Sequence, residues 1–246
     1  PADFRFAVKA PRDVTHGPTP EGALANAQGP ERGHFENPRT LEVMQRLLEN
    51  VSALEERLGP VLMQFPPGFD DRFRAELTGF LDRLGPGVER ARAGGAPNLR
   101  LALELRHQSW AGAGTASMLA ARGMALVYGD HTPRQETDRA GVARVMPPPP
   151  LTATADVLYL RLLGRHGQFR LRTREQADVS ARLAWWRGQV AAACAARRVE
   201  TVYAFFDNDF AGFAPASASR FAALVGARQP VLAEVKPLRE PTLFDV

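Results

Sequence analysis

The chain has 246 residues, 45% hydrophobic and 24% charged, a length and balance that fit one globular α/β domain. Its single cysteine, Cys194, excludes an intramolecular disulfide and points to a reducing, cytoplasmic compartment; no signal peptide is visible, and the best apolar run, 185–196, is broken by Arg187 and too short to span a bilayer. The formal charge of +4 and the pI near 9.8 come from arginine, with Lys9 and Lys236 the only lysines, and suit an anionic substrate or nucleic acid without establishing either, because no long basic run is present.

The first apolar, β-prone run is Phe4–Ala10, in which Phe4, Phe6 and Val8 share one face and Arg5, Ala7 and Lys9 the other. Arg12 and His16 follow directly, and Gly17–Pro38, rich in Gly, Pro, Asn and Glu, reads as a long loop. Helical spacing over Leu41–Leu58 is expected to stop at Gly59-Pro60. A strand at Val61–Phe65 sets Gln64 on the face of Leu62, and a helix is expected over Arg72–Leu84. In Leu99–Arg106 the leucines at 99, 101, 103 and 105 face helices, which leaves Ala102, Glu104 and Arg106 looking inward. His107 and Trp110 come next, then a helix over Ala116–Arg122. The strand Ala125–Asp130 groups Tyr128 with Asp130, and Thr132–Thr154, with Pro147 to Pro150, reads as a second long loop. Val157–Leu163 groups Tyr159 with Arg161; a helix over Arg174–Arg198 and a strand over Thr201–Phe206 follow, the strand ending on either Asn208 or Asp207 and Asp209. A helix over Pro215–Val225 completes a single domain of residues 1–236, with 237–246 as a tail.

Strands that alternate with helices imply a parallel sheet with crossover connections. Nearly every strand is apolar until it ends on a polar side chain: Lys9, Gln64, Glu104, Asp130, Arg161 and Asn208. In a closed parallel barrel such ends converge on one mouth, where the chemistry sits.

Five words in order, FAVKAPRDVTH, GPVLMQFPP, ELRHQSW, YLRLLGR and VYAFFDNDFAGFAP, cover most of the chain and resemble the YecE-like family, a domain of unknown function. The resemblance implies a TIM-barrel-like (β/α) barrel, and the strand pattern suggests the same independently. The family's first two strand words have no counterpart before Pro1, so the barrel is expected to be either open or truncated at its N-terminal side. Leu163 stands where the family's strand-seven word has histidine, and Asp207-Asn208-Asp209 replaces Asn-Asn-Asp.

Lys9, Arg12 and His16 form a cationic group that Arg106 and Arg161 would face across the mouth, a setting for a phosphate or carboxylate. The alternative is a structural network pairing Arg106 and Arg161 with Glu104 and Asp130. Glu104, Asp130 and Lys9 are the candidate proton-moving residues; Arg12, His16, Gln64, Arg106, His107, Trp110, Arg161, Asn208 and Asp209 are candidate substrate contacts. Trp110 serves either as a hydrophobic plug or as a stacking surface. A metal held by Glu104, Asp130, His131 and Asp209 is conceivable, but ligand spacing specifies neither metal nor cofactor, and no phosphate-cradling loop, dinucleotide fingerprint or serine elbow is present. Leu243 and Phe244 sit in a tail that resembles the peptide by which DNA-maintenance proteins dock on the sliding clamp, although Glu240 replaces the usual glutamine. Three readings follow: a barrel hydrolase or lyase for an anionic substrate, a DNA-associated protein or phosphodiesterase recruited to the clamp, and a non-catalytic binding module.

Overall fold

The computed structural model describes residues 4–17, 29–130, 134–137, 143–146, 150–197 and 199–227. In chain order its elements are β1 (Phe6–Lys9), α1 (Arg12–His16), α2 (Pro38–Ser52), β2 (Leu58–Gln64), α3 (Arg74–Ala93), β3 (Arg100–Glu104), α4 (Ala113–Ala120), β4 (Ala125–Asp130), β5 (Arg134–Thr137), β6 (Ala143–Met146), β7 (Val157–Leu162), α5 (Ser180–Ala196), β8 (Thr201–Phe206) and α6 (Ala214–Leu224). One sheet has the order β1-β2-β3-β4-β7-β8, and every neighbouring pair in it is parallel. β5 and β6 form a separate antiparallel pair inside the segment expected to be a loop.

The sheet curls into an open half-barrel of the TIM-barrel-like kind. The hydroxyl of Tyr203 on β8 lies 3.0 Å from where a side chain on Gly59 of β2 would begin, although three strands separate them in the sheet. Its concave face holds Leu62, Ala102, Ala125, Val127, Val157 and Tyr159. On the convex face Leu99, Leu101 and Leu103 pack with Met44, Leu48, Leu77 and Phe80 of α2 and α3, while Leu158, Leu160 and Leu162 pack with Leu183 and Trp186 of α5. The alternation within β3 and β7 therefore sorts residues into lumen and helix layers as strand geometry requires. β1 and β8 are the edges of the sheet, and Phe4, Phe6, Val202 and Phe205 are exposed along them.

Helix ends depart from the sequence pattern for local reasons. α2 stops at Ser52, not Leu58; the Ser52 hydroxyl bonds the Leu48 carbonyl, and Glu55 takes a positive φ of 50° as the chain turns. Gly59 and Pro60 lie inside β2, where Gly59 is needed because the Phe6 carbonyl passes 3.1 Å from its would-be Cβ. α3 runs nine residues past its expected end, through Pro86, with Gly87 packed on Leu48. α5 begins at Ser180 because residues 176 and 177 give their N–H groups to the Ala211 carbonyl. Among the described residues no helix is long and apolar enough to cross a membrane.

Candidate functional site

Parallel register brings four strand ends together. Gln64 pairs directly with Glu104, Lys9 pairs with Leu62 two residues upstream of Gln64, and Arg161 pairs with Gly129, whose bare Cα leaves the way across β4 open. Lys9 Nζ donates to Gln64 Oε1 at 2.7 Å, and Gln64 Nε2 donates to Glu104 Oε2 at 2.9 Å. Arg106 Nε reaches Glu104 Oε1 at 2.9 Å, while Arg161 donates to Glu104 Oε2. Glu104 is 3% exposed and Gln64 8%, so a buried carboxylate forms the hub and its cationic partners lie nearer solvent. Partnering is what lets a charge stay in such a place.

Among the described residues, the mouth carries excess positive charge. Partial burial, then Arg161 and Arg106, hold the Lys9 ammonium below its ordinary value, against the opposing pull of Glu104. Burial, then Arg12, Lys9 and Arg106, push the His16 imidazole down to about 4; Thr15 Oγ1 lies 2.8 Å from its Nδ1. Below these groups, Tyr159 stacks on Phe205 with ring centroids 4.9 Å apart, and burial raises its phenol to about 12. Tyr159 shares a strand face with Arg161, a period-two signal that could have added it to the candidates.

His16 makes the pH dependence predictable. Its folded value lies below the ordinary 6.5, so between pH 6.5 and about 4 the unfolded chain binds a proton that the folded chain refuses. Stability is therefore expected to fall across that window and to lose this dependence below it. Melting temperature against pH for wild type and His16→Asn checks it: the variant should show a shallower decline, and equal slopes would contradict the assignment.

Other expected contacts lie elsewhere. Asp130 belongs to the helix side of the sheet, not to the mouth: Arg182 donates to it through Nε at 3.1 Å and a terminal nitrogen at 2.5 Å, and Trp186 Nε1 donates at 2.7 Å. The register explains this, since Val127 and Gly129 are the residues of β4 that pair with lumen-facing Tyr159 and Arg161. Trp110 is the hydrophobic plug, 3% exposed, bonded through its indole N–H to the Phe69 carbonyl and stacked on Phe69. His107 accepts from the Ser109 N–H through Nδ1, and Asn208 accepts the Ala214 N–H at the start of α6.

Asp209, 2% exposed, sits in the turn after β8 and holds the segment after β7: it accepts the Gly167 N–H at 2.8 Å and lies 3.6 Å from an Arg172 nitrogen. Glu104 and Asp130 thus lie on opposite faces, so the proposed metal set is not assembled by them; His131, Lys236, Leu243 and Phe244 lie outside the described residues.

The model of the family described as Protein of unknown function DUF72 matches residues 1–242. A DUF72 family protein from Thermotoga maritima MSB8 has a similar structure, with 27% identity, a TM-score of 0.59, and coverage of 92% of this chain and 75% of that one. A DUF72 family protein from Enterococcus faecalis V583 shows the same fold at 19% identity and a TM-score of 0.58, covering 93% of this chain and 80% of that one. No curated protein matches the chain. With the family model spanning nearly the whole sequence and the curled parallel sheet common to the solved structures, the chain belongs to the DUF72 family, to which the YecE-like name also applies.

Proposed function

We propose that the chain is an enzyme of hydrolase or lyase type that binds an anionic, phosphorylated or carboxylated substrate at the carboxyl ends of the strands. One observation carries the reading: Arg106 and Arg161 pair with Glu104, Lys9 and Arg12 stand beside them, and among the described residues these four cations outnumber the carboxylates at the mouth. A bound anion relieves that repulsion, and the two guanidinia can each grip it in two places. Glu104 holds Arg106 and Arg161 in position until the substrate takes them over. Glu104, which Gln64 continues to hold, then serves as the proton acceptor for the bound substrate.

Inorganic phosphate and citrate are expected to raise the melting temperature of the wild type, less so as salt increases. Arg161→Met should weaken phosphate binding by about tenfold, equivalent to about 1.4 kcal/mol. No stabilisation by either anion at millimolar concentration would sink the reading. Nucleic acid is the second reading, favoured by the exposed Arg165, Arg170, Arg172 and Arg174 that follow β7 at the same end. Duplex-DNA binding that Arg161→Met leaves intact, with no response to small anions, would select it instead.

A further inference from the structure

The chain uses arginine for almost every positive charge, and within the described residues Lys9 is the one lysine. A side chain needed only to attract an anion would do so at least as well as a guanidinium, which never loses its charge. Three features set this amine apart. It stands exposed at the end of β1, open to an incoming molecule. Its hydrogen-bond acceptor is the neutral amide oxygen of Gln64, while the Glu104 oxygens are engaged by Gln64, Arg106 and Arg161. Partial burial, then Arg161 and Arg106, and last Arg12, disfavour its ammonium form against the opposing pull of Glu104. Cationic neighbours and desolvation are the standard means by which a lysine becomes a nucleophile.

Deepening the anion-binding reading, on which it rests, we infer that Lys9 Nζ attacks the carbonyl carbon of a substrate whose carboxylate or phosphate is held by Arg106 and Arg161, forming an imine. The neutral amine forms the C–N bond while the carbonyl π pair moves to oxygen, which takes up a proton. Nitrogen gives its own proton to solvent water, which the exposed end of β1 admits. The resulting hydroxyl then leaves as water after a second proton reaches it, and the nitrogen lone pair closes the C=N bond. Amine and carbonyl become imine and water, with no oxidant or reductant. The protonated imine draws electrons from the neighbouring carbon, which assigns the site to lyase chemistry on oxo acids or phosphorylated carbonyl compounds.

The test treats the full chain with pyridoxal phosphate, an aldehyde bearing phosphate, and separately with pyruvate, a ketone bearing carboxylate. Borohydride reduction, digestion and mass mapping follow. Lys236 in the same molecule is the internal reference. Adduct is expected at Lys9 at least about tenfold faster than at Lys236, and inorganic phosphate should slow only the Lys9 reaction. Lys9→Arg should still be stabilised by phosphate while forming no adduct at position 9. Labelling of Lys9 no faster than of Lys236 overturns the inference, and if phosphate still stabilises the wild type, the anion-binding reading survives that result. Absence of phosphate stabilisation instead removes the anion-binding reading itself.

Discussion

Gly164→Ala is expected to lose roughly 2–5 kcal/mol of stability, the sum of a left-handed backbone penalty and an overpacking penalty. Gly164 has φ +68°, and a Cβ there would lie 2.0 Å from the Asp209 carbonyl oxygen and 2.5 Å from its carbon. Both obstacles are backbone atoms, so no rotamer change relieves the clash. The turn after β8 must move, which pulls the Asp209 carboxylate from the Gly167 N–H. Urea denaturation should show a lower midpoint with an unchanged slope. Gly167→Ala is the control: φ is +75° but nothing lies within 4 Å of its Cβ, so only the conformational part, about 1–2 kcal/mol, applies. Equal losses for the two variants would mean that the segments after β7 and β8 do not pack as described.

Asp130→Ala should cost about 3 kcal/mol and leave phosphate binding intact. The substitution strands the indole N–H of Trp186, which is 1% exposed, and leaves the Arg182 guanidinium without its carboxylate. Asp130→Asn keeps one acceptor oxygen and should lose less. Arg182 also lies over the Phe210 ring, 4.5 Å from its centroid, so the disturbance should reach the β8 turn but not the lumen network around Glu104. A stable Asp130→Ala protein that no longer responds to phosphate would return Asp130 to the mouth.

That contrast between two acidic strand ends shows how far local pattern reaches. Glu104 was legible because the leucines at 99, 101, 103 and 105 form one apolar face of this run, which leaves Ala102 and Glu104 on the other. β4 offers no such contrast. Leu126, Val127 and Tyr128 are all compatible with either layer, as strands covered on both faces generally are, so the direction of Asp130 had no local signature. Its partners, Arg182 and Trp186, come 52 and 56 residues later on α5.

The chain order of the six strands of the large sheet and the inward positions of Lys9, Gln64 and Glu104 were legible in the sequence alone, because the period-two alternation of a strand and the apolar stripe of a helix are local properties. Tertiary structure decided which ends meet. Side-chain register across β2, β3 and β7 joins Lys9, Gln64, Glu104 and Arg161 into one network, while helix packing behind the sheet takes Asp130 and Trp110 out of the mouth. Those choices depend on pairing and burial between residues distant in the chain, which no short stretch of sequence encodes.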